Sequence, residues 1–169
     1  MIKEGLRYAP LIRVSTERQE QKGESLKVQK RQIIEYVALM KGVIPESCWK
    51  YSGQEHATPD QDRAKLDLLI EDAEKGVFDA VIVCDPQRWS RDNQKSEVGL
   101  QILRENKIRF FVGTTEYDLY NPTQNFFLSM NAVIGEYQAR IQSLKSMLTR
   151  IKRAKEGQPS AGALPFGRT

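Results

Sequence analysis

The chain has 169 residues, of which 40% are hydrophobic and 28% are charged, and its formal net charge is +4. This length is enough to bury the core of one domain, and the composition excludes a disordered chain. No apolar run approaches the roughly 18 residues that span a bilayer, and no signal-peptide pattern opens the chain, so we expect a cytoplasmic protein without membrane contact. Two cysteines, Cys48 and Cys84, and one histidine, His56, predict reduced core thiols and no zinc site.

The charge is distributed unevenly along the chain. From Ala139 onward seven residues are basic and one is acidic, whereas the first 138 residues contain 19 basic and 21 acidic side chains. A basic segment is usually a solvated surface, but it is also typical of an arm that follows a phosphate backbone. The basic residues that form this segment before the last few residues are Arg140, Lys145, Arg150, Lys152, Arg153 and Lys155.

Strand and helix patterns alternate along the first 113 residues. The predicted strands cover residues 6–14, 48–51, 78–86 and 108–113, and Pro10 is unfavourable in the first of them because it donates no ladder hydrogen bond. Three helices are predicted between these strands. The first begins at Ser25 and is stopped by Gly42, and the second begins at residue 63 and is stopped by Gly76. The third begins at residue 93 and ends near residue 106.

This order predicts an α/β fold in which a mostly parallel sheet of four to five strands is flanked by helices. In such sheets ligands bind beyond the carboxyl ends of the strands. Ser15 follows the first strand there, and the stretch "QRWSRD", residues 87–92, follows the third. The apolar third strand is expected to be central, so the two polar stretches should lie side by side.

A long helix is predicted after Asn121, which would cap it, with Pro122 at its first position and an end near Gly157. Its length, roughly 50 Å, exceeds what one small domain can cover. Apolar residues recur along it in steps of three and four, which predicts a seam packed against a partner helix and hence a dimer with a projecting basic end. The seam comprises Phe127, Met130, Ile134, Tyr137, Ile141, Leu144, Leu148 and Ile151. The final Gly-, Pro- and Ser-rich residues are typical of a linker.

Four arginines are expected near the sheet edge that carries Ser15, namely Arg13, Arg63, Arg88 and Arg91. Guanidinium groups match phosphate oxygens, so a hydroxyl among them favours phosphoryl transfer. The alternative is that Ser15 only caps a helix, and that Arg88 and Arg91 form surface ion pairs with neighbouring aspartates. No Walker-type phosphate loop and no carboxylate cluster for magnesium occurs.

Seven stretches resemble the serine recombinase family in order and spacing: "RVSTERQ", "GESLKVQ", "YSG", "DR", "RWSRD", "YDLYNPT" and "GALPFGR". The last resembles its large branch of integrases and transposases. The resemblance implies a resolvase-like catalytic core over residues 1–120, a dimerisation and DNA-tracking helix over 121–156 and, over 157–169, the start of a linker to further DNA-binding modules. It also implies that Ser15 attacks a DNA phosphodiester to form a 5′-phosphoserine, while Arg13, Arg88 and Arg91 bind the phosphate. The supporting positions would be Gln19, Gln29, Ser52, Arg63 and Gln87.

Such a recombinase would act on double-stranded DNA at specific recombination sites, as a homodimer that forms a tetramer during strand exchange. It would serve integration, excision or transposition of a mobile element in the nucleoid, with no metal, ATP or other cofactor. Three positions depart from the family pattern: Leu11 replaces a frequent tyrosine, Gln87 a frequent aspartate, and Ala139 or its neighbour an arginine. Tyr8 is expected to face the other side of its strand, and Asp85 is a weak substitute for the missing aspartate.

Two other functions remain open on this evidence. A catalytically impaired relative would use the same helix to dimerise and organise DNA, and the departures at Leu11 and Gln87 favour it. A flavodoxin-like signalling or nucleotide-binding domain would explain the order of strands and helices, but it explains neither the arginines nor the seam.

Overall fold

The computed structural model of the chain describes residues 5–14, 26–54, 59–89 and 93–159. It divides into two compact units, Met1–Val133 and Ile134–Thr169. The described residues of the first unit form a mixed four-stranded sheet with flanking helices, which confirms the predicted fold class. Those of the second unit continue the long helix that begins in the first.

The strands of the first unit are β1 (Tyr8–Pro10), β2 (Arg13–Val14), β3 (Gly53–Gln54), β4 (Ala80–Val83), β5 (Arg109–Val112) and β6 (Thr115–Tyr117). The helices are α1 (Leu26–Leu39), α2 (Pro59–Glu74), α3 (Asn93–Glu105) and α4 (Pro122–Lys155). Two short 3₁₀ helices cover Glu46–Tyr51 and Pro86–Arg88.

The main sheet has the strand order β1-β4-β5-β6, and β2 pairs with β3 in a separate two-stranded ladder. The pairs β1–β4 and β4–β5 are parallel, so the third predicted strand is interior and adjoins the first, as expected. Pro10 is tolerated because β1 is the outer strand of this sheet, where a missing N–H breaks no interior ladder. After Pro10, the Leu11 N–H still donates to Ile82 O of β4 over 3.0 Å, and β2 begins at Arg13.

Two predictions about strands are wrong. The segment predicted as a strand over residues 48–51 belongs to the 3₁₀ helix, in which Cys48 N–H donates to Pro45 O over 2.9 Å. Cys48 and Tyr51 are both buried, and their spacing of three residues matches the 3₁₀ period rather than the period of a strand. The sequence interpretation also missed β6, which runs antiparallel to β5 after a turn at Gly113.

Two glycines expected to stop helices have different roles. Gly76 follows α2 with φ +69°, a left-handed conformation that suits glycine at a helix end. After α1 that conformation belongs to Lys41, at φ 54°, and not to Gly42. A Cβ at Gly42 would lie 2.2 Å from a ring carbon of Tyr8, so glycine is needed there for space.

The core lies on both sides of the sheet. Tyr8 packs in one cluster with Ile33 and Phe111, whereas Leu11 packs in the other with Phe110. The expectation that Tyr8 faces away from the Leu11 side is therefore confirmed.

A buried carboxylate joins α2 to the 3₁₀ helix before β3. The Tyr51 hydroxyl donates to Asp72 Oδ2 over 2.6 Å, and Lys50 Nζ lies 2.6 Å from the same oxygen. Burial, and then the hydrogen bond to Asp72, raise the pKa of Tyr51. Burial alone would raise the pKa of Asp72, but Lys50, Tyr51 and Lys75 together lower it. The ionised carboxylate thus contributes to the stability of the folded chain.

We expect Asp72→Asn to lower the free energy of unfolding at pH 7 by about 2 kcal/mol, because a buried charged acceptor is lost. The folded pKa lies below the ordinary value of 3.8, so this contribution is complete above that pH and is lost as the pH falls through the folded pKa. Urea unfolding of both proteins between pH 7 and pH 3 measures the difference. Asp67→Asn is the matched control on the same helix, because Asp67 forms an exposed ion pair with Lys95 at 3.0 Å. An equal loss in both variants would contradict the prediction.

Candidate active site

The site is built where β1 and β4 end side by side. Arg13 lies in β2, three residues after Pro10, and Arg88 ends the 3₁₀ helix that follows β4. Arg13 Nη1 donates to the main-chain oxygen of Trp89 over 3.0 Å, and lies 3.4 Å from that of Arg88. The end of the first predicted strand thus contacts the segment after β4, whereas Ser15 lies outside the described residues, so the meeting of the two polar stretches stays a prediction. We call residues 84–89, which follow β4 within the described part of the chain, the arginine loop.

Arg13 is held from several directions and is only 5% exposed. Its main chain pairs with Gly53 in the β2–β3 ladder, and Gln29 Nε2 of α1 donates to its carbonyl oxygen over 3.1 Å. A guanidinium group is planar and has its donors in a fixed fork. The position of Arg13 is therefore set by β3, α1 and the arginine loop together.

Gln29 and Ser52, two of the predicted supporting residues, lie on the elements that contact Arg13. Gln29 is 8% exposed, and Ser52 directly precedes Gly53. Gln29 Oε1 and Ser52 Oγ are buried and form no hydrogen bond within the described part of the chain. Buried polar atoms are normally satisfied, so these two oxygens are candidates for contacts with a polar ligand.

Arg88 forms an ion pair with Asp85, with 3.2 Å between Nε and Oδ2. This is the ion pair that the alternative interpretation predicted for Arg88, and its presence does not test whether Arg88 binds a phosphate. The side chains are 28% and 45% exposed, so solvent weakens the pair and a phosphate could replace the carboxylate.

Several predicted residues lie outside the described structure. Ser15, Gln19 and Arg91 fall in segments that it does not describe, and the side chains of Arg63 and Gln87 are not described either. Their predicted roles therefore stay predictions. Within the described ranges no group of three or more His, Cys, Asp or Glu side chains could hold a metal ion.

Leu11 and Cys84 follow β1 and β4, the two strands that lead to the site. Leu11 is fully buried in the core, so its side chain adds no hydroxyl at that position. Cys84 follows β4, and burial, reinforced by Asp85, raises the pKa of its thiol to about 11. Cys48 is buried and both thiols are free, as expected. A thiol with so high a pKa is a poor nucleophile at neutral pH.

The sequence interpretation overlooked Trp89, whose carbonyl oxygen accepts the hydrogen bond from Arg13. It also overlooked Cys84 as a neighbour of Gln29, with 3.8 Å between Sγ and the Gln29 carbonyl oxygen. The presence of a tryptophan within the polar stretch 87–92 could have indicated the Trp89 contact, because so large an apolar ring is usually buried.

Helix α4 begins as predicted. The Asn121 side-chain oxygen accepts the Thr123 N–H over 3.0 Å, so Asn121 caps the helix. The helix ends at Lys155, and Gly157 follows with φ 70°. In the first unit Leu128 is the buried residue of α4, whereas Phe127 and Met130 are 56% and 39% exposed.

The apolar seam continues in the second unit with side chains that are exposed or, at Ile141, half-buried. The six predicted DNA-binding residues, from Arg140 to Lys155, are all exposed there. An extended apolar stripe on a surface is typical of an interaction site. None of the helices that the structure describes combines the length and apolar character needed to cross a bilayer.

Comparison with known proteins shows matches over most of the chain. The family model "Resolvase, N terminal domain" matches residues 9–159. A protein of Bacillus subtilis (strain 168) named "Putative DNA recombinase" is 30% identical over 146 residues, which cover 86% of this chain and 28% of that protein. The chain thus spans little more than a quarter of that relative's length.

Two solved structures share the fold. The N-terminal catalytic domain of TP901-1 integrase matches with a TM-score of 0.54 and 22% identity, over 80% of this chain and 98% of that one. A resolvase family site-specific recombinase from Streptococcus pneumoniae matches with a TM-score of 0.56 and 20% identity, over 87% of this chain and 99% of that one.

Proposed function

The chain belongs to the resolvase family of recombinases, and we propose that it cuts and rejoins DNA through a covalent 5′-phosphoserine intermediate. Ser15 is the proposed nucleophile. Its oxygen forms a bond to the scissile phosphorus, the bond from phosphorus to the 3′ oxygen breaks, and that oxygen leaves as a 3′-hydroxyl. The reverse attack by a 3′-hydroxyl restores the DNA and frees the serine. The phosphoserine ester conserves the energy of the broken bond, so the cycle requires no ATP.

The observation that carries this proposal is the hydrogen bond from Arg13 to Trp89 O, because it joins the strand that precedes Ser15 in the sequence to the loop that contains Arg88 and precedes Arg91 in the sequence. Arg13, Arg88 and Arg91 are the proposed phosphate ligands. Fixed cations stabilise the charge that spreads over the phosphate oxygens in the transition state. The buried Gln29 Oε1 is suited to accept a hydrogen bond from the serine hydroxyl, and the buried Ser52 hydroxyl is suited to donate one to a phosphate oxygen.

The proposed partners are double-stranded DNA at specific sites and further copies of the chain. The exposed seam of α4 is the proposed dimer interface, and the basic residues near its end would neutralise DNA phosphates. Strand exchange within a tetramer, for integration, excision or transposition of a mobile element, is the biological role that we propose.

The test is to map the covalent link. The protein is incubated with the DNA ends of the element that encodes it, quenched in denaturant and digested with trypsin and nuclease. We expect mass spectrometry to find a nucleotide on the peptide containing Ser15, with the DNA attached through its 5′ phosphate and with equal yield in EDTA. Attachment at another residue, or a 3′ linkage, would refute the mechanism.

A second candidate is the catalytically impaired module that dimerises and organises DNA. Leu11, fully buried and without a hydroxyl, favours it, as does glutamine at position 87. Specific binding to the same DNA ends without any adduct would make this the preferred function.

The basic end of α4 yields a separate prediction about affinity. Lys152→Glu and Arg153→Glu should each weaken DNA binding and reduce the slope of log K against log salt by about 1, as loss of one phosphate contact does. Fluorescence anisotropy with labelled DNA at several salt concentrations measures both quantities. Lys107→Glu makes the same charge change in an exposed turn of the first unit and should leave the slope unchanged. Equal slopes in all variants would mean that the basic end is only solvated surface.

A further inference from the structure

Trp89 is the largest side chain of the arginine loop, and it is buried. It is 1% exposed, and its ring meets Phe110 of β5 edge to face with 5.2 Å between the ring centroids. Its indole nitrogen has no hydrogen-bond partner among the residues described. Packing, rather than a hydrogen bond, therefore holds the indole in place.

Gly99 provides the space for this ring. It lies inside α3, and a Cβ there would be 2.9 Å from Trp89 Cζ2 and 3.4 Å from Ile70 Cδ1. Its φ is not in the left-handed region, so the backbone conformation does not require glycine. Glycine lowers helix stability relative to alanine, and contact with the indole explains why it is present.

The main chain of Trp89 connects this packing to the site. Its carbonyl oxygen accepts the Arg13 hydrogen bond over 3.0 Å, and its N–H donates to Pro86 O over 3.2 Å. We propose that Trp89, seated against Gly99, is a positioning residue that fixes the arginine loop relative to Arg13. It acts through Arg13 and Arg88 and does not touch the phosphate.

The inference rests on the proposed function, because the arginines that Trp89 positions are the proposed phosphate ligands. A displacement of about 1 Å of such groups can slow a reaction by up to about 100-fold. A larger side chain at position 99 would displace the indole, and with it the loop main chain. The effect should therefore appear in the rate of the chemical step rather than in DNA affinity.

The experiment measures the single-turnover rate of covalent attachment at saturating DNA for Gly99→Ala, Trp89→Leu and the double variant. We expect each single variant to slow attachment by about 10-fold or more, with the dissociation constant for the same DNA unchanged. Because leucine leaves room for a Cβ at position 99, the double variant should be no slower than Trp89→Leu alone.

A second readout does not depend on chemistry. Amide hydrogen exchange of the free protein should be faster in Trp89→Leu for peptides that cover residues 84–89, and unchanged for peptides of β5. The amides of Arg88 and Trp89 report most directly, because both donate hydrogen bonds within the loop.

Two control variants separate positioning from stability. Val98→Ala changes an exposed neighbour on the same helix and raises helix propensity, so it should keep the wild-type rate. Phe78→Leu truncates a buried aromatic of the same core that packs on Tyr51, and it should lower stability without slowing attachment while the protein stays folded.

The inference would be overturned if Gly99→Ala formed the adduct at the wild-type rate and the amides of its arginine loop exchanged at the wild-type rate. It would equally be overturned if Phe78→Leu slowed attachment as much as Trp89→Leu, since the ring would then act only through stability. If the wild type forms no adduct at Ser15, the proposed function fails, and the exchange measurement alone decides whether Trp89 anchors the loop.

Discussion

Replacing Ser15 with alanine is expected to abolish covalent attachment of the protein to DNA. Without the serine oxygen no bond to phosphorus can form, so the loss should be complete rather than partial. DNA affinity should persist, because the phosphate contacts come from arginines and from the basic end of α4. A denaturing gel of the reaction shows the adduct, and anisotropy measures binding in the same samples.

The matched control is Thr16→Ala, which removes the next hydroxyl along the chain. This variant should form the adduct. An adduct that survives in Ser15→Ala and disappears in Thr16→Ala would show that the nucleophile is Thr16. Loss of both adduct and DNA binding in Ser15→Ala would indicate a folding defect, which circular dichroism would reveal.

Arg88→Ala and Arg91→Ala are each expected to slow attachment by about 10²- to 10³-fold, the usual effect of removing one preorganised donor from a transition state. Arg88→Lys should recover only part of the rate, because an ammonium keeps the charge but lacks the paired donors of a guanidinium. Rapid quench under single-turnover conditions measures these rates. Unchanged rates in both alanine variants would refute the proposal that Arg88 and Arg91 bind the phosphate.

Asp85→Asn distinguishes a catalytic Arg88 from one that serves only as a surface ion pair. The substitution removes the carboxylate that lies 3.2 Å from Arg88 Nε but keeps the guanidinium. If Arg88 binds the phosphate, its release from Asp85 should leave attachment as fast as in the wild type or faster. If Asp85→Asn is as slow as Arg88→Ala, the ion pair itself is what the reaction requires, and phosphate binding by Arg88 is refuted.

The elements with a strong local pattern were predictable. The uniformly apolar segment around β4 marked an interior strand, and Asn121 with Pro122 marked the start of α4. Part of the 3₁₀ helix at Glu46–Tyr51 was predicted as a strand, because a short apolar run does not distinguish a strand from a helical turn. The antiparallel β6 was missed because its three residues are largely exposed and carry no apolar alternation.

Within the site, the contact of Arg13 with the segment after β4 was predictable from topology, since β1 and β4 are parallel neighbours. The contacts that hold it together could not be predicted in the same way. The link from Arg13 to Trp89 joins residues that are 76 apart in the sequence, and it uses a main-chain oxygen, which no residue type reveals. Nothing in the sequence marks the glycine at position 99 of α3 as necessary, because the reason for it is the neighbouring indole ring of Trp89.

The capped start of α4 and its exposed seam have a consequence for how the helix holds together. Leu128 is packed in the core, whereas the described side chains from Ile134 to Gln158 are exposed or half-buried. A helical stretch without tertiary packing depends on its own backbone hydrogen bonds, which alone are marginal in water. If the proposed dimer forms, the partner that covers the seam also supplies folding free energy. Helical order and dimerisation would then be one equilibrium, governed by mass action and so by protein concentration.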